Sequence, residues 1–331
     1  MKSILKKHLW LENSEDAQRQ YIDAVAVFTA WEAARKNAAE VRGGMLWRSQ
    51  NGTDYLIRTS ASNSQKSLGP RSEETEAAYN KFTERKILVE SRLTDLRETM
   101  ERHQRMNRAL HVGRTPKMLV DILDRLYKTG LAEYFSVIGT HALYAYEAGA
   151  GVRIGSADAM TTNDIDLLWD TRKKISFETK METIGTSFLG VLKKIDSTFE
   201  IRSDQLFTAV NSKGFEVDVI RREPKDGDPH PWRMTDKDDE EFYAVYAKNA
   251  GQLLDGPKFS SIVVSPSGHM ARINTISPLA FSKFKRWMAA QGDRDAQKRR
   301  RDILQADMVD EMVREYLPQL ASIKNDKERQ A

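Results

Sequence analysis

The sequence predicts an α/β (α+β) protein in which helices flank a mixed sheet, with a helical region before the sheet and a helical domain after it. Long helical patterns fill most of the first 115 residues, short β-rich runs alternate with helices from Tyr134, and the chain turns helical again after Pro278. We therefore expect three parts: residues 1–115, helical with a β-hairpin; residues 116–225, the α/β domain; and residues 226–331, extra strands followed by the helical domain.

Two helices are expected in the N-terminal part, over Ser14–Glu40 and Ser72–Asn107, because apolar residues recur there every three to four positions. Their apolar faces should pack together and could also carry a homo-oligomer, in the manner of a coiled coil. Between them, Asn51-Gly52 lies between two apolar-rich runs, which predicts a β-hairpin.

A polar stretch, residues 60–72, follows the hairpin and contains Lys66 and Arg71. It is interpreted as a flexible connector, because turn-forming residues dominate it. The alternative is a loop that contacts phosphate through its backbone N–H groups and these two charges.

Composition restricts the classes of function. The net charge is +4, from 52 basic and 48 acidic residues, so the overall charge alone does not argue for nucleic-acid binding. The chain has no cysteine, which excludes disulfides, thiolate catalysis and cysteine-ligated zinc sites. No apolar stretch approaches the roughly 20 residues that span a bilayer, and the N-terminus lacks the apolar core of a secretory signal. We expect a cytoplasmic protein without a membrane span.

Two aspartates define the main candidate site. Asp164 and Asp166 lie in the run Thr-Asn-Asp-Ile-Asp-Leu-Leu at residues 162–168, which reads as a strand. Side chains two positions apart on a strand point to the same face, so the two carboxylates should be neighbours. Neighbouring carboxylates repel each other unless a cation lies between them, and Mg²⁺ prefers oxygen ligands.

A second acidic strand follows at residues 215–220, where Glu216 and Asp218 share one face. If the two strands are adjacent, Asp218 joins the first pair, and three carboxylates can hold two Mg²⁺ or Mn²⁺ ions ~3.5–4 Å apart. Glu216 is either a supporting ligand or, as we favour, an exposed strand residue. The alternative for the whole set is a surface strand with ordinary acidic residues.

A glycine turn precedes both strands. Residues 136–143 read as a strand, a turn at Gly139-Thr140 and the start of a helix. Amides at a helix N-terminus bind phosphate readily, and the Thr140 hydroxyl could add a contact. His141 follows and either touches phosphate or packs against the turn.

The order apolar-Gly-Thr, Asp-Ile-Asp-Leu and Val-Asp-Val resembles the DNA polymerase β-like nucleotidyltransferase superfamily over residues 136–222. It looks closest to the bacterial toxin and phage-defence branch, in which Thr or Ser commonly stands two residues before the first aspartate, as Thr162 does. Two features depart from the pattern. Thr140 stands where glycine or serine is usual, and Asp164 lies 25 positions after Gly139, a longer separation than is typical.

The resemblance implies a nucleotidyltransferase fold with its catalytic domain at residues 116–225, two divalent ions and a nucleoside triphosphate substrate. It also implies that a lysine of the C-terminal helical domain reaches the triphosphate, for which Lys283 and Lys285 are the candidates. The basic run Lys298–Arg301 is either a solvated helix face or a contact for polyphosphate or a nucleic-acid backbone.

The leading hypothesis is an enzyme of the EC 2.7.7 type that moves a nucleotide from a nucleoside triphosphate to a hydroxyl and releases pyrophosphate. An RNA, DNA or oligonucleotide acceptor is favoured, and a toxin or defence role would add a cognate antitoxin or effector protein as partner. The alternative is a non-catalytic nucleotide-sensing or partner-binding module on the same fold. The residues do not decide the acceptor.

Overall fold

The computed structural model describes residues 10–60, 63–225, 227–228, 230–235 and 242–320. The chain divides into two compact units, one formed by Arg19–Leu110 and the other by the described residues before and after it. We call them the inserted unit and the main unit. None of the helices in the described residues is both long enough and apolar enough to cross a membrane.

The described residues form strands and helices in the following order. The strands are β1 (Trp10–Glu12), β2 (Gly44–Gln50), β3 (Thr53–Thr59), β4 (Gln65–Pro70), β5 (Phe135–Ile138), β6 (Val152–Ile154), β7 (Asp164–Trp169), β8 (Glu200–Arg202), β9 (Gln205–Val210), β10 (Glu216–Arg221), β11 (Trp232–Arg233), β12 (Tyr243–Tyr246), β13 (Lys258–Val264) and β14 (Met270–Ile276). The α-helices are α1 (Glu15–Glu40), α2 (Glu73–Ala109), α3 (Lys117–Thr129), α4 (Ala142–Ala150), α5 (Ala157–Met160), α6 (Lys174–Ile184), α7 (Phe188–Lys193), α8 (Ala250–Asp255), α9 (Pro278–Ala289) and α10 (Ala296–Tyr316).

The inserted unit contains a three-stranded antiparallel sheet in the order β2-β3-β4. Asn51 and Gly52 connect β2 to β3 with φ angles of 52° and 79°, which confirms the predicted hairpin. Asparagine and glycine suit this turn because both tolerate positive φ.

The prediction of a flexible connector at residues 60–72 is wrong for its second half, because Gln65–Pro70 is strand β4 and pairs with β3. The outer edge of β3 supplies the backbone partners, which local sequence cannot reveal. Arg71, a candidate for phosphate contact, is instead paired with Glu76 at 2.7 Å and with Asp54 at 3.5 Å.

Helix α2 begins at a capping box, in which Ser72 and Thr75 bond each other's backbone N–H groups. It covers one face of the three-stranded sheet: the ring of Tyr79 lies 5.9 Å from that of Trp47, and the Arg58 guanidinium lies 4.3 Å from the Phe82 ring. Far along the helix, the buried Asn107 accepts a 2.9 Å hydrogen bond from Gln20 of α1.

The main unit is built on a nine-stranded mixed sheet, and β1 pairs with β6 outside it. Its main path is β11-β12-β10-β7-β5-β14-β13, while β8 and β9 form a hairpin that joins the first half of β10. The fold class is therefore the predicted one. Strands from both sides of residue 225 belong to this single sheet, since β12 pairs with β10 and β14 pairs with β5.

Strand β7 lies inside the sheet, parallel to β10 and antiparallel to β5. Ile165, Leu167, Leu168 and Trp169 are fully buried, so this strand is sandwiched between layers of the core. The two aspartates are its only residues that are not buried. Strand β7 is therefore buried except at these two half-buried carboxylates, which lie where a ligand can approach the sheet.

Helices α9 and α10 follow the sheet, as predicted. Ser277 caps α9 by accepting from the Ala280 N–H, and Pro278 occupies the first turn, where its missing N–H costs nothing. Met308, Val309, Met312 and Val313 of α10 belong to the core of the main unit, so this helix packs on the same core as the sheet.

Candidate metal centre

The parallel pairing of β7 and β10 places three carboxylates together. In the strand register Asp218 lies opposite Asp166, and Glu216 lies opposite Asp164, so these side chains share one sheet face. One carboxylate oxygen from each of Asp164, Asp166 and Asp218 lies within 4.8 Å of the other two. The two acidic strands are therefore adjacent, which the sequence analysis had to assume.

Two of the three carboxylates receive a hydrogen bond from a threonine. The Thr162 hydroxyl donates to Asp164 Oδ1, and the Thr208 hydroxyl donates to Asp218 Oδ1 at 2.6 Å. Thr208 is fully buried on β9 and lies directly opposite Asp218 in the antiparallel register. Each threonine engages one carboxylate oxygen, and the other oxygen remains available to a ligand.

The third carboxylate, Asp166, has no hydrogen-bond partner in the described part of the chain. Burial, and then the negative charges of Asp164 and Asp218, raise its pKa to about 7, while the positive charges of Lys285 and Arg301 act in the opposite direction. The pKa of Asp218 is also raised, chiefly by burial. The cluster therefore carries negative charge that its protein neighbours do not fully balance.

An all-oxygen set with excess negative charge fits a hard divalent cation such as Mg²⁺ or Mn²⁺, because the cation relieves the repulsion that, after burial, contributes to these raised pKa values. Glu216 does not belong to the set: Arg202 binds its carboxylate at 2.8 Å. The sequence favoured an exposed strand residue over a supporting ligand; in the structure Glu216 is a half-buried strand residue whose carboxylate pairs with Arg202.

Gly139 lies against the carboxylate cluster. It follows β5, whose last residue, Ile138, pairs with Asp166. Its φ is +67°, and a Cβ atom at this position would lie 2.0 Å from Asp166 Oδ2. Glycine is therefore required twice, by the backbone conformation and by the closeness of the carboxylate.

The neighbouring Thr140 is buried, and its hydroxyl accepts a 3.1 Å hydrogen bond from Gln305 of α10. The same amide group of Gln305 also donates to the Ala159 carbonyl at 2.7 Å. The contact that the structure gives Thr140 is thus with α10, and it joins the glycine turn to the C-terminal helix.

His141 is buried, and its Nδ1 lies 2.8 Å from the Asp164 carbonyl oxygen, so Nδ1 is the donor. Burial lowers its pKa to about 4, which makes the ring neutral near pH 7. Nε2 is buried and has no hydrogen-bond partner in the described residues. Because the ring is neutral and donates to the β7 backbone, the structure favours packing over a cationic phosphate contact for this histidine.

The two candidate lysines differ in their surroundings. Lys285 is buried, and its Nζ donates to Asp302 Oδ1 at 2.9 Å; its positive charge is one of those that act on Asp166. Burial lowers the pKa of Lys285. Lys283 is exposed on α9. The structure brings Lys285, and not Lys283, into the electrostatic environment of the carboxylates.

Sequence reasoning missed two contributors and did not single out a third. Thr208 and Gln305 give no local signal, because their partners lie 10 and 165 positions away. Arg301 stood out only as part of a basic run, yet it donates to the Thr161 carbonyl at 3.2 Å and its charge acts on Asp166. Its spacing from Gln305, one turn of helix, could have indicated a shared face of α10.

Comparison with known proteins identifies a family. A family model described as "Nucleotidyltransferase" matches residues 117–329, which is more than half of the chain and includes the whole carboxylate cluster. No curated protein and no solved structure matches the chain.

Proposed function

The chain belongs to a nucleotidyltransferase family, and from this premise we propose that it transfers an NMP or dNMP from a nucleoside triphosphate to a hydroxyl of a nucleic-acid or oligonucleotide acceptor. Pyrophosphate is the leaving group, as in EC 2.7.7 reactions. The observation that carries the proposal is the cluster of Asp164, Asp166 and Asp218, whose oxygens lie within 4.8 Å of one another.

Asp164, Asp166 and Asp218 would hold two Mg²⁺ or Mn²⁺ ions. When bound, such ions lower the pKa of an acceptor hydroxyl and stabilise the charge on the leaving pyrophosphate. The protein supplies the rest of the arrangement. The threonine bonds fix the rotation of Asp164 and Asp218, so that their free oxygens are oriented before substrate binds.

The triphosphate needs positive charge close to the carboxylates, and we assign this part to Lys285 and Arg301, whose charges act on Asp166. Asp302 holds the Lys285 ammonium in place, which makes it a fixed charge rather than a mobile one. Lys283, the other lysine suggested by the resemblance, is exposed and is the weaker candidate. The missing side chain of Gly139 leaves room for the Asp166 carboxylate to lie against the glycine turn.

In the proposed reaction the acceptor oxygen bonds to the α-phosphorus while the bond from that phosphorus to the bridging oxygen of pyrophosphate breaks. The hydroxyl proton passes to a carboxylate oxygen of the cluster. Positioning and electrostatic stabilisation provide most of the catalysis in phosphoryl transfer, in accord with a site of fixed charges and few mobile groups.

The test is incorporation of labelled nucleotide into total RNA and into RNA or DNA oligonucleotides, with Mg²⁺ or Mn²⁺. Asp166→Asn should reduce incorporation on the order of 10³-fold, because several kcal/mol of charge stabilisation are lost. Glu216→Gln is the matched control: it changes an acid on the same sheet face that Arg202 engages, and it should stay within a few-fold of wild type.

Equal incorporation by Asp166→Asn and wild type would contradict the proposal. Nucleotide binding without turnover under every condition would instead favour the nucleotide-sensing module.

The proposal extends to a toxin or phage-defence role, supported only by the resemblance of residues 162–168 to that branch. Such a protein would need a cognate antitoxin or effector protein, and homo-oligomers could form through the N-terminal helices. Expression should then arrest growth, and Asp166→Ala should abolish the arrest. Harmless expression of active wild-type protein without a partner would contradict a toxin role.

A further inference from the structure

The inserted unit presents one open face of its sheet. Arg48 and Gln50 of β2, Tyr55 and Ile57 of β3, and Ser67 of β4 point to this face, as the strand register requires: Arg48 pairs with Tyr55, and Ile57 pairs with Ser67. Helix α2 covers the opposite face through the contacts of Trp47 and Arg58 described above. We call the first face the open face.

A depression of about 370 Å³ lies on the open face. This volume falls at the small end of the range for ligand sites. Ile57, which is buried, forms its floor, while Arg48, Gln50 and Ser67 are exposed around it and Tyr55 is half-buried. The depression is lined by Arg48, Gln50, Asn51, Thr53, Tyr55, Ile57 and Ser67.

The chemistry of this lining is one-sided. It holds one cation, one aromatic ring, two amides and two aliphatic hydroxyls, but no carboxylate. Asp54, the one acid within residues 44–70, belongs to the other face, where Arg71 pairs with it. In the described residues, the Arg48 guanidinium, the Gln50 amide and the Tyr55 hydroxyl have no hydrogen-bond or ion-pair partner within the protein. These groups are therefore available to a ligand.

The net charge of the inserted unit also favours an anionic ligand. Residues 19–110 contain 16 basic and 12 acidic residues, a net charge of +4, which equals the net charge of the entire chain. Residues 1–18 and 111–331 together are therefore neutral in formal charge. An anionic partner would find its favourable field at the inserted unit.

We propose that the open face binds single-stranded nucleic acid, with an unstacked base on the Tyr55 ring, a phosphate at Arg48, and base edges bonded by Gln50 and Asn51. A protein partner fits less well, because the one aliphatic side chain of the lining, Ile57, is only 7 % exposed and offers no apolar anchor. A duplex fits less well too, because its bases are stacked on each other and cannot reach the ring.

This inference deepens the proposed function by naming a surface for the acceptor, and it rests on that function only for the role of the bound strand as substrate. Strand binding itself needs neither nucleoside triphosphate nor metal. The two proposals can therefore fail separately.

The experiment is fluorescence anisotropy of labelled mixed-sequence oligonucleotides of about ten nucleotides, a length that suits a single sheet platform. The full-length protein is titrated without metal or nucleotide against RNA, DNA and the corresponding duplex, at several salt concentrations. The variants are Tyr55→Ala, Tyr55→Phe, Arg48→Gln and the control Arg92→Gln, which removes an exposed arginine from α2 of the same unit.

Tyr55→Ala should weaken single-strand binding at least about fivefold, as the loss of a stacking contact does, while Tyr55→Phe should stay near wild type because it keeps the ring. Arg48→Gln should weaken binding and lower the salt dependence by about one phosphate contact. Arg92→Gln should do neither. The RNA and DNA arms then show which sugar the face prefers.

Three results would overturn the inference: no single-strand binding by wild type, equal loss in Arg92→Gln and Arg48→Gln, or tighter binding of the duplex. Because Tyr55 is half-buried, its alanine variant could lose structure; the exposed Arg48→Gln variant keeps the test valid. Binding of single-stranded nucleic acid without nucleotide incorporation would support the open face as a binding surface and contradict the proposed catalysis.

Discussion

Asp164, Asp166 and Asp218 differ in what surrounds them, although the sequence presents them alike. Asp164 and Asp218 each accept a hydrogen bond from a threonine hydroxyl. Asp166 lies against Gly139, where any side chain would collide with its carboxylate. The raised pKa of Asp166 follows from this arrangement, since it has the burial of the sheet and two negative neighbours but no donor of its own. Residues that set the geometry of the carboxylates should therefore also affect metal binding and the reaction, although less than the carboxylates do.

Thr208→Val removes the hydroxyl that orients Asp218 and keeps the shape of the side chain. We expect the affinity for Mn²⁺ to fall about tenfold, as is usual when a partner of a metal ligand is lost, and Thr208→Ser to restore it. Calorimetric titration with Mn²⁺ measures this directly, without any catalytic assay.

Thr275→Val is the matched control for that prediction. Thr275 is equally buried in the same sheet, and its hydroxyl donates at the same 2.6 Å, but to the Val137 carbonyl. Both valine variants should lose similar stability, and only Thr208→Val should lose metal affinity. A similar loss of Mn²⁺ affinity in both variants would mean that general destabilisation, and not the lost bond to Asp218, causes the effect.

Gly139→Ala should reduce nucleotide incorporation by about 100-fold or more, because its Cβ would displace the Asp166 carboxylate and small misplacements at a reacting centre are costly. Gly214→Ala serves as control. It has a similar φ of +74° with nothing within 4 Å of the added Cβ, so it should cost about 1 kcal/mol of stability and leave the rate unchanged. Similar rates for the two alanine variants would contradict the close approach.

At the scale of elements, α9 and α10 are joined by a buried ionic cluster. Asp302 is fully buried and accepts from Lys285 at 2.9 Å and from Arg294 at 2.7 Å. Gln305, one turn further along α10, ties the same helix to the glycine turn. The helical domain is thus part of the site wall, and its ionic cluster determines where the Lys285 charge lies.

Asp302→Ala should lower the free energy of unfolding by about 3–5 kcal/mol, since it leaves a buried lysine without its counter-charge. Asp307→Ala, on the same helix, removes an exposed partner of Arg286 and should cost less than about 1 kcal/mol. Urea unfolding of the two variants measures the difference. Equal losses would mean that Asp302 is not the counter-ion that holds Lys285.

At the scale of the whole molecule, the core and the candidate site belong to one unit. The main hydrophobic cluster of the described residues contains no member of Arg19–Leu110. The two ends of the inserted unit lie close together, because Gln20 near its start bonds Asn107 near its end. A short linker can therefore replace the inserted unit without stretching the chain.

Replacement of residues 19–110 by a short glycine–serine linker should leave a folded main unit whose melting temperature changes by less than about 5 °C. It should still be stabilised by Mn²⁺, and it should lose single-strand binding. Thermal unfolding with and without Mn²⁺, together with the anisotropy assay, tests this. An unfolded or metal-insensitive product would show that the main unit depends on the insertion.

Local patterns were sufficient for most elements, and they failed where a partner was remote. The helices, the Asn51-Gly52 hairpin and the two acidic strands follow from periodicity and turn chemistry, which act over a few residues. Strand β4 was missed because it depends on the edge of β3, and Thr208 and Gln305 were missed because nothing near them in sequence signals their partners.

By itself, the sequence determined which acidic residues form the candidate site. It also determined that Asp164 and Asp166 share one side of a strand, because side-chain alternation is a property of the extended backbone. Only the tertiary structure decided that β10 runs parallel beside β7, that Thr208 bonds Asp218, and that the charge of Lys285 acts on Asp166. Each of these arrangements joins distant parts of the chain, so the packing of the sheet and the helices produces them and local sequence preference does not.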